Sequence, residues 1–236
     1  MSAADAKVLS VSPLPESQAK WTRLVKIQYK DPRGRTRDWE SAERSTRPKG
    51  SDIDGVGIVA ILEKPTGKES SSFHLLLLGG DILPSWTSAD PGARPYCSGP
   101  EIVLQKQYRP PANQVMIEVP AGLVDEGETA EQSAVRELKE ETGYVGKVTE
   151  SSPLMWNDPG FCNTNLRMVH VSIDMSLPEN QNLKPELEEN EFIEVFYVPL
   201  KNLWEECKKL EAQGFGIDAR VGTLAEGIEL AKQFKL

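Results

Sequence analysis

Glu128, Arg136, Glu137, Glu140 and Glu141 lie within the stretch GLVDEGETAEQSAVRELKEETGY, Gly122 to Tyr144. Four carboxylates with one guanidinium among them are hard oxygen donors with a built-in organiser. Their spacing predicts a helix. Thr129 is placed as an N-cap, Gln132 three residues on completes a capping box, and Gly143 supplies the stop. Ala130, Ala134 and Leu138 recur every four residues as one apolar face. At about 100° per residue, Glu141 projects between Ala130 and Ala134, and Glu137 only about 20° beyond Ala130. Glu140 lies further round the same side, so the acidic cluster borders the buried stripe. Glu137 and Glu141 form a like-charge i,i+4 pair, which costs a few tenths of a kcal/mol even when exposed and more when partly buried. A divalent cation reverses that sign, and oxygen donors of this kind suit Mg2+ or Mn2+ bound together with phosphate oxygens. A solvated acidic helix is the competing reading; it leaves Gly122, Glu128 and the internal Arg136 without a reason.

The segment resembles the Nudix box, G-x5-E-x7-R-E-U-x-E-E-x-G-U with U aliphatic. Gly122, Glu128, Arg136, Glu137, Leu138, Glu140, Glu141 and Gly143 match in register, and Tyr144 departs from the aliphatic final position. The resemblance implies cleavage of a nucleoside diphosphate linked to a further moiety. It implies Mg2+ (Mn2+ is possible) held by Glu137, Glu140 and Glu141 with the carbonyl of Ala121, and Arg136 orienting the glutamates through salt bridges. It also implies an α/β fold: an α/β/α sandwich around a mixed sheet.

Composition agrees with a soluble enzyme acting on a small substrate. The 236 residues carry 27% charged and 39% hydrophobic side chains and a formal net charge of −9, which argues against nucleic-acid or anionic-membrane surfaces as partners. No apolar run is long enough to span a membrane. The first residues lack a hydrophobic or arginine-rich leader, which predicts a cytoplasmic protein, with a nuclear location also open. Cys97, Cys162 and Cys207 are widely spaced, without a zinc pattern or a paired framework, and are expected as free thiols. With only His74 and His170 present, catalysis is expected to run on carboxylates and metal.

Several elements must position these groups. Residues 1–16 are expected as a mobile tail and 17–50 as an N-terminal antiparallel β-unit. In that unit Trp21–Tyr29 and Arg35–Arg47 are strands on either side of the Asp31–Gly34 turn. Residues 48–54 read as a polar linker and 51–236 as the main domain. Its strands are expected at Val56–Leu62, Phe73–Leu78, Glu101–Arg109, Met116–Val119, Gly146–Ser152, Leu166–Met175 and Glu191–Val198. Phe73–Leu78 is expected as the hairpin partner of Val56–Leu62. Residues 79–100 are a long loop, and helices over Leu200–Gln213 and Asp218–Phe234 finish the chain.

Residues outside the box narrow the class. Glu118-Val-Pro-Ala-Gly122 resembles the lead-in of ADP-sugar pyrophosphatases, and Pro159 lies 15 residues beyond Tyr144, where ADP-ribose hydrolases of the family carry a proline. Lys20-Trp21, Thr36–Ser41, Arg44–Arg47 and Gln107–Pro111 resemble the ADP-sugar diphosphatase branch in its human and fungal members. In that branch the N-terminal unit crosses to a second subunit, two tryptophans stack on adenine and arginines hold phosphates. By matching position these are Trp21, Trp39, Arg44 and Arg109, with Glu118 and Pro159 also at the substrate. The resemblance therefore implies a homodimer with a shared active site and ADP-ribose as substrate. Trp21 and Trp39 as hairpin core residues, and Arg44 and Arg109 as structural cations, are the alternatives. The general base of the branch resembles a glutamate before a late strand; Glu191 matches best, with Glu189 and Glu194 as rivals. Residues 66–100 depart from the branch by their length. Other readings are a Nudix hydrolase for oxidised nucleoside diphosphates or other ADP-sugars, and a silent ADP-ribose-binding sensor.

Overall fold

A computed structural model describes residues 3–63 and 99–236. The predicted strand at Phe73–Leu78, His74, Cys97 and nearly all of the 66–100 segment lie outside the described residues.

The box helix, α1, runs Ala130–Thr142. Its start is the reciprocal capping box: Gln132 N donates to Thr129 Oγ1 (3.2 Å) and Thr129 N to Gln132 Oε1 (2.9 Å). Its end is Gly143 at φ 77°, whose N–H donates to Lys139 O, a left-handed position that disfavours any side chain. Ala134 and Leu138 are fully buried, and Glu141 is only 4% exposed on the same stripe.

The sheet beneath α1 is mixed. β3 (Gly55–Glu63) pairs in parallel with β9 (Asn165–Asp174) and antiparallel with β6 (Ala121–Leu123) and the start of β4 (Glu101–Arg109). β4 pairs along one side with β10 (Ile193–Pro199) and, at its far end, with β5 (Gln114–Glu118) on the other side. β7 (Lys147–Ser151) and β8 (Met155–Trp156) flank β9, and β11 (Gly216–Ile217) adds a short parallel edge to β5. β4 meets β3 only at Ile102 and Glu101. Beyond that point Pro120 takes its place, accepting from Ile58 N (2.8 Å), and the chain turns into the box.

Two cores line the two faces of this sheet. Val56, Ile58, Ala60, Leu62, Val103 and Tyr144 pack with α1. Val59, Ile102, Leu104 and Ile117 pack on the other side with α2 (Leu203–Ala212) and α3 (Ala219–Phe234). The strands thus alternate between two apolar layers, and the fold is the expected α/β/α arrangement around a mixed sheet. Tyr144 fills its core slot fully buried, edge-on to Tyr197 at 6.0 Å between centroids with the two hydroxyls 2.9 Å apart.

The N-terminal unit is a separate antiparallel hairpin of β1 (Thr22–Lys30) and β2 (Thr36–Arg44). Asp31 closes its turn, accepting from Arg33 N and Arg35 N. Ahead of it, Ala3–Asp5 form a 3-10 turn in which Ala3 is buried, and Val8 N donates to Asn113 Oδ1. Residues 48–54, which read as a polar linker, end in a buried anchor. Asp54, 4% exposed, accepts a fork from Arg47 (2.8 and 2.6 Å) and the N–H of Asn165 (2.9 Å). Linker composition hides this, because one buried aspartate among polar neighbours changes no periodicity. The expected single helix over Leu200–Gln213 begins with a 3-10 turn, Leu200–Asn202, before α2.

Candidate active site

The acidic face of α1 is organised by Arg136. Its Nε and Nη2 fork onto Glu128 (both 2.9 Å), its Nη1 donates to Glu137 (2.8 Å) and Glu140 (3.0 Å), and its Nη2 reaches the carbonyl of Leu123 (3.1 Å). One guanidinium therefore ties the loop before the helix to two of its carboxylates. Arg136 is held far above its ordinary range, chiefly by the Glu128 hydrogen bond. Glu128 is correspondingly held below its ordinary value, first by Arg136.

Glu137 and Glu141 behave differently. Burial raises Glu137; Arg136 opposes this, and the charges of Glu140 and Glu191 add to it. Glu141 is pushed up to about 8, first by burial, with Glu137 and Glu191 adding to the rise against the Ala121 N–H and Gln105. Ala121 N donates to Glu141 Oε2 at 3.0 Å. Gly122 lies against the Glu137 carboxylate so closely that a Cβ there would collide with it. These are desolvated carboxylates pressed together beside a close backbone, which makes net negative charge costly.

Such a donor set fits a hard divalent cation. The oxygens of Glu137, Glu140 and Glu141 with the backbone at Ala121 have the right chemistry, and Glu141 gains most from a positive neighbour. Among the described residues no three side chains already converge as a cation-holding group; Glu137 and Glu140 are turned to Arg136 instead.

Two of the rival glutamates, Glu191 before β10 and Glu194 within it, separate in space. Glu191 acts electrostatically on both Glu137 and Glu141, and its carboxylate accepts from Glu188 N (3.0 Å) in a tight turn. Glu194 is on the strand surface, paired with Lys106 Nζ at 2.8 Å. Arg109, Asn190 and Phe192 line one cavity of about 540 Å³ with Ala3, Tyr108 and Pro110, so the chain on both sides of Glu191 faces the end of β4. Within that cavity wall, Arg109 commits its Nε and Nη2 to Glu118 at 2.8–3.1 Å. Glu118 is 4% exposed, so its reach to any ligand runs through that guanidinium.

The hairpin meets the loop that carries Pro159. Trp39 Nε1 donates to Gly160 O (3.1 Å), Ala42 N to Phe161 O (2.9 Å) and Asn163 Nδ2 to Glu43 Oε1 (3.1 Å). Trp21 sits at the open end, 68% exposed, where Ser45 N donates to its carbonyl. Register puts Trp39 opposite Ile27 and Arg44 opposite Thr22. Trp21 and Trp39 are therefore about six residues apart along the hairpin, roughly 20 Å at strand rise. They do not come together within one chain. Residues that sequence reasoning passed over are Asp54 with Arg47, and Gln105, whose amide meets Glu141. Gln105 follows the apolar Ile102–Leu104 and is itself followed by Lys106 and Gln107, so no sequence signal marked it.

Residues 94–219 match the NUDIX domain family model. Over 233 residues the chain is 46% identical to an ADP-ribose pyrophosphatase of Saccharomyces cerevisiae, covering 98% of this chain and 87% of that one. It is 34% identical to an ADP-sugar pyrophosphatase of Mus musculus, covering 87% and 80%. A crystal structure of an ADP compounds hydrolase superposes with a TM-score of 0.50 over 96% of this chain and 94% of that one; at 17% identity it speaks for the fold. With the box in register on α1, a mixed sheet between two helical layers, and these similarities along nearly the whole chain, the protein belongs to the Nudix family.

Proposed function

We propose that the protein is a cytoplasmic, Mg2+-dependent ADP-ribose diphosphatase, converting ADP-ribose and water to AMP and ribose 5-phosphate, and acting on other ADP-sugars. The observation that carries it is the acidic face of α1, where Arg136 holds Glu128, Glu137 and Glu140 beside the buried Glu141, with the charge of Glu191, from outside the box, felt by Glu137 and Glu141. The substrate is carried over from the names of the similar yeast and mouse proteins.

A bound divalent cation, on Glu137, Glu140, Glu141 and the Ala121 carbonyl, supplies neutralisation of diphosphate charge. The protein's own residues do the rest. Glu191 takes the proton of the attacking water. The new P–O bond forms as the bridging P–O bond breaks, and the second phosphate leaves with the bridging oxygen. Arg136 keeps Glu137 and Glu140 aimed and does not touch substrate. Arg44 and Arg109 bind phosphate oxygens, Arg109 with the edge that Glu118 leaves open. Trp21 and Trp39 stack on adenine, and Pro159 shapes the loop that Trp39 rests on.

The hairpin supports a homodimer. Two rings roughly 20 Å apart on one ribbon cannot sandwich one base, so a clamp made of both draws Trp21 from one copy and Trp39 from another. The exposed Leu24, Ile27 and Tyr29 give the ribbon an apolar surface to bury in that contact.

A substrate panel tests the reading. With Mg2+, ADP-ribose should give AMP and ribose 5-phosphate with kcat/KM well above that for oxidised nucleoside diphosphates, and chelator should stop the reaction. A preference for the oxidised nucleotides, or binding of ADP-ribose without turnover, overturns it.

A further inference from the structure

Gln105 is fully buried in the middle of β4. Its strand neighbours Ile102 and Leu104 face α2 and α3, whereas Val103 packs with the α1 core. Alternation therefore turns Gln105 to the α1 side, where an aliphatic residue would satisfy packing. Instead its Nε2 donates to Glu141 Oε1 at 3.4 Å, and its own Oε1 is inaccessible to solvent without a hydrogen-bond partner. An orphaned buried amide oxygen is destabilising. What the amide does accomplish is local. Glu141 Oε2 is held by the backbone N–H of Ala121, and Gln105 reaches the other oxygen from the sheet. The two donors meet different oxygens and so restrain the plane of a carboxylate that α1 alone would leave free to turn.

We infer that Gln105 is a positioning residue of the cation site, holding Glu141 in its ligating orientation, so that divalent-cation affinity depends on a side chain outside the box helix. This rests on Glu141 being a ligand. The partners of metal ligands commonly tune affinity by 10–100-fold, and an amide donor to a carboxylate acts in this way without touching substrate.

Mn2+ binding to the full chain, followed by the free-ion electron paramagnetic resonance signal, tests it without recourse to activity. Gln105→Met keeps the volume and removes the amide; Gln105→Val is the second variant should the first not fold. The expected result is a Kd for Mn2+ raised about 10–100-fold, with thermal stability in chelator equal to or above that of the unaltered protein. In a Glu141→Gln background, Gln105→Met should weaken Mn2+ no further. A folded variant that binds Mn2+ within about twofold of the unaltered protein overturns the inference while leaving the metal site standing, as does an equal loss in the Glu141→Gln background. Failure of the unaltered protein to bind Mn2+ removes the metal reading of α1 and this inference with it.

Discussion

Replacing Glu141 with glutamine should abolish turnover and at the same time make the metal-free protein more stable, by an amount that grows with pH. Glu141 is 4% exposed and its carboxyl is pushed up from 4.5 to about 8, burial being the main cause. A folded value above the unfolded one means that the folded state binds the proton more tightly. Stability from this group is therefore complete below the unfolded value of 4.5 and is lost as pH rises towards 8. At about 1.4 kcal/mol per tenfold change, the ionised protein at pH 8.5 is weaker by about 3 to 5 kcal/mol, and by less than about 1 kcal/mol at pH 5. Glutamine has nothing to ionise. Its oxygen keeps the Ala121 N–H, and its amide can donate to the unpartnered Gln105 Oε1 after a half-turn of that side chain. Thermal unfolding in chelator at pH 8.5 should place the variant on the order of 10 °C above the unaltered protein, with the gap nearly closed at pH 5. Added Mg2+ should raise the unaltered protein distinctly more than the variant. A variant no more stable at pH 8.5, or a gap that does not change with pH, would refute the placement of a buried carboxylate without a cationic partner at this site.

Glu191→Gln should lower kcat by roughly 10²- to 10⁴-fold while ADP-ribose still binds; near-normal kcat would move the base to Glu189 or Glu194. Asp54 is raised by burial but lowered more by the Arg47 fork and the Asn165 N–H, leaving it below its ordinary 3.8. Its contribution is therefore present above about pH 4 and lost as pH falls below that. Arg47→Gln should cost roughly 3 kcal/mol at pH 7 in urea unfolding and distinctly less at pH 3; an equal loss at both would deny the ion pair. Trp21→Ala and Trp39→Ala should each weaken substrate binding by about 1–3 kcal/mol. Mixing the two weakened variants should restore full affinity to about a quarter of the sites if the clamp spans two copies, and to none if each chain binds alone.

The failures of sequence reading fall where contacts are long-range. The linker over 48–54 hides Asp54 because its partners, Arg47 and Asn165, lie on different elements. The two-residue β11 carries too few side chains for any period to show. Glu189, Glu191 and Glu194 are indistinguishable as letters in an acidic run. In the fold Lys106 on the neighbouring strand engages Glu194, and the charge of Glu191 acts on Glu141.

By itself the sequence determined what depends on neighbours within a turn or a strand: the capping box and glycine stop of α1, the apolar stripe beside its glutamates, and the strands β3 and β4. These follow from local hydrogen bonding and side-chain period. Only the tertiary structure decided how much those glutamates cost. The desolvation of Glu141, the Gln105 amide arriving from 36 residues away and the charge of Glu191 all depend on how β4, α1 and the segment before β10 close on one another. Likewise the sequence supplies the chain positions of the two tryptophans, but the register of β1 against β2 is what sets them about six residues apart along the hairpin.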